Sequence, residues 1–524
     1  MKDRSKYGAT RASALVAATL VLAAGAGFAR ADEPADGSPE ATANAAAAAS
    51  AAAAPVAPAV PTVAPPAAPV TAPVAPAPSP ATAAPASWFA RPSLTLAVGE
   101  GARQFKLTIY GFAEADYIFD TTRSYDDAIG AALVARRETY DGNHSRSQFS
   151  MRNSRLGFAF ESPTVGGIRP TAVLEADFFG HQDSPPTNTE NTYFDSPTFR
   201  VRHAFVKLAS AYVDVILGQT YDLFGWQTMS SPCSLEFLGL PNQLFSRNPQ
   251  LRLSHGFAAE GPLGVDVAVA ASRPAQRDSQ IPDGSAGLRL VLNHWKGITT
   301  PGNVGTTLAR AGLGVSGIVR RFNVNAFAPP PTRDANRATG FGIAVDALLP
   351  VIPAASEGER SNRLTLTGSF VRGTGIADLI TSGGGATFPP LSNAQQANPA
   401  PIYDANIDSS LVTYDANAVL HTINWTAFRV GLQYYLPPSG RWLFAANYTQ
   451  SHSDNLWKLY QQGNAWVEQL GTIADTSRYA DANLFFDVTP ALRVGISGQY
   501  TQVRYLDGAK PHNIRGMGQT VYQF

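Results

Sequence analysis

Charge is scarce in this chain. Only 15% of its 524 residues are Asp, Glu, Lys or Arg, against about 25% in an ordinary soluble domain. Its 40 basic and 40 acidic residues cancel, which excludes a nucleic-acid binder that works through bulk positive charge. There is one cysteine, so neither a disulfide framework nor a multi-cysteine metal site is available. A mean hydropathy of −0.08 is too polar for a bundle of transmembrane helices. Aromatic and turn-forming residues are plentiful instead: 27 Phe, 18 Tyr, 45 Gly and 39 Pro. The length admits about three or four soluble domains, or one large β-structure.

The first residues read as an address. Lys2, Arg4, Lys6 and Arg11 form a basic start, and an uncharged, mostly apolar run follows from Ala12 to Gly27. Ala29-Arg30-Ala31 then supplies a small-x-small cleavage pattern. The run is shorter than the roughly 20 residues a spanning helix needs, so 1–31 is expected to be a cleaved secretory signal peptide. Residues 32–100 are expected to form a disordered Ala/Pro-rich periplasmic linker. Within it, 41–87 holds 23 Ala and 11 Pro and no charged residue. Proline breaks helices and favours extended chain, and so few large apolar side chains cannot bury a core.

From residue 101 to 524 the period is two. Phe105, Leu107, Ile109, Gly111, Ala113, Ala115, Tyr117 and Phe119 alternate with a set containing Lys106, Thr108, Glu114 and Asp116. That is strand alternation over a stretch much longer than an ordinary strand of about five or six residues. Similar segments recur about sixteen times, separated by gaps that alternate short and long. Short turns on one rim and long loops on the other are what an up-and-down barrel gives. Charges fall at mid-strand on the polar face, among them Arg155, Glu175, Asp177, Arg252 and Arg289. A dry core disfavours such charges and a water-filled lumen tolerates them. The expected fold is therefore an all-β transmembrane antiparallel barrel. The chain ends Thr520-Val521-Tyr522-Gln523-Phe524, an alternating strand with a terminal Phe, like the closing strand of bacterial outer-membrane barrels.

Several blocks resemble the trimeric porins of the DcaP type. They are Leu107-Thr108-Ile109-Tyr110-Gly111-Phe112, Ser154-Arg155-Leu156-Gly157-Phe158, Leu174-Glu175-Ala176-Asp177-Phe178-Phe179-Gly180, Phe199-Arg200-Val201-Arg202-His203-Ala204-Phe205-Val206 and Leu217-Gly218-Gln219-Thr220. They cover about residues 104–225; the rest matches in pattern only. The resemblance implies a sixteen-stranded barrel in the Gram-negative outer membrane, a homotrimer, and passage of small anionic solutes such as dicarboxylates. Where some members of that family carry a helical coiled-coil extension, this chain has its Ala/Pro tract.

In porins a third long loop commonly folds inward and narrows the channel. Here the third long gap is 221–249, and it contains Tyr221, Asp222, Trp226, Glu236 and Arg247. Arginine suits a carboxylate pore because its planar fork donates two hydrogen bonds and stays charged. Parity points Arg155 inward, opposite Leu156, Phe158 and Phe160, and points Arg252 and Arg289 inward between leucines. Arg200 and Arg202 are placed inward opposite Phe199, Val201 and Phe205, which leaves Lys207 on the lipid side at the rim. Arg152 shares the parity of Leu156 and turns inward only if a bulge or strand end intervenes. Glu114, Asp116, Glu175, Asp177 and Asp214 join the lumen. These acids either neutralise the arginines in a ladder of salt bridges or leave some free for solute, and both readings stand at this point. No Gly-x-Ser-x-Gly elbow, HExxH helix or P-loop occurs, so neither catalysis, nor a cofactor, nor a metal is expected. The function expected is passive diffusion of small hydrophilic, anionic solutes; a general porin, or a plugged structural or adhesive barrel, is the alternative.

Overall fold

The computed structural model describes residues 93–130, 133–180, 197–227, 229–258, 260–275, 279–325, 335–354, 359–381, 410–414, 419–462, 471 and 473–524. The expected signal peptide, and the expected Ala/Pro-rich linker up to residue 92, lie outside the described residues.

The strands are, in chain order, β1 Leu94–Val98, β2 Phe105–Asp120, β3 Arg146–Ser150, β4 Arg155–Glu161, β5 Arg169–Asp177, β6 Arg200–Ala209, β7 Asp214–Tyr221, β8 Arg247–Phe257, β9 Leu263–Ser272 and β10 Asp283–Thr299. They continue with β11 Thr307–Asn325, β12 Ala335–Ile352, β13 Arg363–Thr374, β14 Val412–Tyr414, β15 Leu420–Thr422, β16 Asn424–Tyr435, β17 Trp442–His452, β18 Ala474–Asp487, β19 Leu492–Tyr505 and β20 His512–Gln523. β14 and β15 make a separate small hairpin. The others form one antiparallel sheet that closes on itself. β1 is an extension paired to the foot of β2, and β3 and β4 are two halves of one wall strand, both paired to β2. Sixteen positions therefore surround the lumen. β1 falls within the stretch expected to be linker; Leu94 and Leu96 alternate with Thr95 and Ala97 and find free ladder groups on β2.

Closure is made by the last strand. β20 pairs with β2 from Phe112↔Gln523 to Asp120↔Arg515. The seam ends where Gly111 N–H donates to the Phe524 carbonyl at 2.9 Å and Phe524 N–H donates to the Gly111 carbonyl at 3.1 Å. A closed sheet leaves no unpaired edge.

The two faces separate by parity. On β2, Glu114, Asp116, Ile118 and Asp120 are buried, while Tyr117 and Phe119 are exposed. On β10, Leu288, Leu290 and Leu292 are exposed and Val291 and Asn293 are buried. Apolar side chains thus face outward and polar ones inward, the reverse of a soluble barrel. Among the described residues no helix is long and apolar enough to cross a membrane. Among the described residues, apolar packing inside the barrel joins a loop that enters it to inward wall residues. Cys233, Leu235 and Phe237 pack with the inward residues Ile118, Ile298, Tyr435, Leu443 and Phe485.

One parity expectation is corrected. A bulge in β6 breaks the register between Glu175↔His203 and Ala176↔Val201, so that Arg202 is the extra residue. The bulge flips every residue beyond it. Lys207 is therefore on the lumen side, where its Nζ lies 2.7 Å from Asp214 Oδ2. A second break, between β3 and β4, turns Arg152 inward to Asp127 at 2.9 Å.

Candidate functional site

Three neighbouring strands concentrate charge on the lumen wall. The register sets Arg155 beside Asp177 and Asp177 beside Arg200, and the bulge adds Arg202 between them. Arg200 grips Asp177 with both Nε and Nη2, at 3.0 and 2.6 Å. Arg202 donates to Glu175 at 2.8 Å and to Asp177 at 2.9 Å. Tyr110 OH donates to the other Glu175 oxygen at 3.0 Å. Arg155 is held more loosely. Its Nε is 3.5 Å from Glu175 Oε1, makes no hydrogen bond, and its guanidinium lies 5.0 Å from the Phe112 ring centroid.

Tyr221 and Arg247 are not loop residues, as the gap count implied. They are register partners at the ends of β7 and β8, because the hairpin ladder continues past the apolar part of both strands. The Arg247 guanidinium faces the rings of Tyr221 and Phe245 at 5.7 and 5.3 Å. Its Nη1 is buried without a hydrogen-bond partner. Arg252 donates to Gln250 Oε1 at 3.0 Å and to the Tyr221 carbonyl. Among the described residues, neither Arg247 nor Arg252 has a carboxylate at ion-pair distance. Arg289 points inward as expected but lies apart from this group, paired to Asp266 at 2.7 Å under the Trp226 ring at 4.9 Å.

The segment between β7 and β8 enters the lumen. Phe224 packs on Ile318 and Ala344. Trp226 lies flat against Gly287 and Gly314, where an added Cβ would come within 2.9 and 2.7 Å of its ring. Further along, Ser234 Oγ donates to Asp481 at 2.6 Å and Leu235 N–H to Asn483 at 3.2 Å. Asn447 donates to the Cys233 carbonyl and to Asp481, both at 2.8 Å. The loop returns past Phe245, whose N–H donates to the Leu379 carbonyl at 3.0 Å. Asp222, at its start, accepts from Ser246 at 2.6 Å and Asn248 at 2.7 Å; burial still pushes its carboxyl above the ordinary range.

Glu236 sits where this loop meets the first long loop. It accepts the Ile129 N–H at 3.0 Å, and Arg515 Nη1 lies 3.6 Å away. Burial outweighs both and pushes its carboxyl up to about 7. Burial likewise pushes the Cys233 thiol up to about 12.

Between the wall, the loop and the β10–β11 turn lies a cavity of about 100 Å³. Arg155, Arg202 and Tyr221 line it from the wall, Glu236 and Gln243 from the loop, and Asn303 from the turn. It offers a cationic side with one loosely held guanidinium, an amide and phenol side, and an acid that titrates near neutral pH. Such a set presents N–H and O–H donors to a small solute; among the described residues that line it there is no nucleophile with an aligned base. Of the residues singled out by parity, Arg155 and Arg202 line the cavity, Glu175, Asp177 and Arg200 brace them, and Arg252 and Arg289 lie on other parts of the lumen wall. Asn153, Gln243 and Asn303 gave no signal in the sequence, since single amides in irregular segments have no period to mark them. A larger concavity of about 880 Å³ lies on the outward face among Leu253, Val269, Ala286, Gly317 and Ile343. Its apolar lining and lipid-side position separate it from the lumen chemistry.

No protein-family model and no curated protein matches the chain. Solved structures do. The outer membrane channel DcaP of Acinetobacter baumannii superposes with a TM-score of 0.57 at 14% identity, over 80% of this chain and 97% of that one. OprB of Pseudomonas putida gives 0.45 at 12% identity, over 79% and 94%. An anion-selective porin from Comamonas acidovorans gives 0.43 at 9%, over 80% and 100%. The likeness to DcaP establishes that the two share a barrel fold, as the sequence blocks implied.

Proposed function

We propose that the chain is an outer-membrane porin that lets small hydrophilic solutes diffuse passively, with a preference for anions of dicarboxylate type. The observation that carries this is the cavity at Arg155, Arg202 and Tyr221, set in the lumen of a closed barrel whose outward face is apolar. The same separation of faces supports insertion in a membrane, and the basic, apolar and small-residue order of 1–31 supports export through a cleaved signal. Residues 32–92 would then serve as a periplasmic tether. A homotrimer is the assembly we propose.

The mechanism is electrostatic. Paired arginines and acids along the wall set the local field, and of the paired arginines on this wall Arg155 is the one held most loosely, at 3.5 Å from Glu175. A solute carboxylate meets Arg155 and Arg202, exchanges part of its hydration for their N–H groups, and leaves because neither site holds it alone. No cofactor or energy source is invoked. The second reading, a plugged barrel, is favoured by how firmly the loop is bonded to the far wall. Single-channel recording of the purified protein under a salt gradient decides between them. Stepwise conductance with an anion-directed reversal potential supports the porin. A silent membrane with insertion verified supports the plugged barrel.

A further inference from the structure

We infer that the β10–β11 turn, residues 300–306, is a second constriction element, and that Val304 sets the size limit of the pore opposite Arg155. The inference rests on the porin reading. The turn enters the lumen. β10 and β11 lie diametrically across the barrel from β2, yet the turn reaches that far side. Asn303 Nδ2 donates to Glu114 Oε2 on β2 at 2.8 Å. Arg493 on β19 donates to the Asn303 carbonyl at 3.0 Å. On the way, Thr300 N–H donates to Gln433 at 2.7 Å and Thr300 Oγ1 lies 2.6 Å from Tyr435 OH. The turn also clasps the inward loop: Gly302 N–H donates to the Pro232 carbonyl at 2.7 Å, and Ser234 N–H to the Gly302 carbonyl at 3.0 Å. Gly302 and Gly305, at φ of 71° and 75°, allow the two reversals this path needs.

Val304 and Arg155 together line the cavity of about 100 Å³ and the smaller one of about 30 Å³ beside it, which is also walled by Glu175 and Gln523. A solute moving from one space to the other passes between an apolar side chain on the turn and a guanidinium on the wall. The wall side carries charge and the turn side carries bulk, so the two functions are separable.

Single-channel conductance and reversal potential of the full-length protein test this, with V304G, V304W and R155A recorded beside the wild type. The expected result is a split. V304G raises conductance and V304W lowers it, each roughly twofold, with the reversal potential unchanged; R155A moves the reversal potential toward cations with a smaller change in conductance. As a check independent of folding yield, V304C is treated with a bulky methanethiosulfonate reagent during recording. Current falls in V304C and stays constant in the wild type, whose Cys233 thiol is fully buried. A conducting wild type with unchanged V304G, V304W and V304C currents overturns the turn's role and leaves the porin reading intact. A silent wild type overturns both.

Discussion

Neighbouring arginines of one wall do different work because their partners differ. Arg202 compensates two carboxylates and its side chain is 3% exposed. Removing it leaves Asp177 to Arg200 and Glu175 to Tyr110 and the long Arg155 contact, and losing one member of a buried ion network costs up to about 3–5 kcal/mol. R202A is therefore expected to lower the unfolding temperature sharply, read as heat-dependent electrophoretic mobility. Arg155 has one long pair and a 20% exposed side chain, so R155A should leave that temperature nearly unchanged while shifting selectivity. Glu236 adds a pH dependence. Its folded carboxyl is raised from an ordinary 4.5 to about 7, with Arg515 facing it favourably and Asp120 unfavourably. A raised carboxyl means the folded state holds a proton that the unfolded state has released. The associated stability is present below about 4.5 and is lost as pH rises through about 7. Its ionisation also places a negative charge at the cavity, so anion preference should fall as pH rises through about 7. E236Q is expected to flatten both profiles; a titrating reversal potential in E236Q would assign the effect elsewhere. Parity made Arg155, Glu175 and Asp177 legible in the sequence. It misplaced Lys207, because a bulge is one inserted residue and leaves no trace in composition or period.

At the scale of elements, period-two alternation located every wall strand. In β10, β11 and β12, Gly and polar residues extend the ladder beyond the apolar belt, where alternation fades: Gly284 pairs with Val319 and Asn325 with Ala335. β1 escaped because its residues are outward and exposed. The inward loop was legible in outline from its large apolar residues, while its path was not: it is fixed by individual hydrogen bonds to wall positions distant in sequence. Asn447 is one of these, holding the Cys233 carbonyl and Asp481 together. N447A leaves a buried carbonyl and a carboxylate each short of a donor, at a cost of about 1–3 kcal/mol. Since the bonds being lost tether a loop and not a strand, the expected result is noisier single-channel current and faster proteolysis within the loop, with the barrel's far-ultraviolet circular dichroism retained.

The whole barrel has walls of unequal height, and that asymmetry bears on assembly. A membrane strand needs about 9–11 residues to cross the apolar layer. β5, β6 and β7 have 9, 10 and 8 residues, close to that minimum, whereas β10, β11 and β12 have 17, 19 and 18. The tall strands project beyond the apolar layer; the low side crosses it with little ladder to spare, so its polar rims lie close to membrane depth. Its outward residues Leu156, Leu174, Val206 and Leu217 are apolar and exposed, so protein contact is as favourable there as lipid. If three copies meet through their low sides, a charge at Leu174 is buried between subunits, and the same charge at Leu290 on the tall side faces lipid. L174E is then expected to convert a chemically crosslinked trimer into monomer with the barrel still heat-modifiable, while L290E hinders insertion without changing the ratio of crosslinked species that do insert. Crosslinking that is unaffected by L174E would place the subunit contact on another part of the wall.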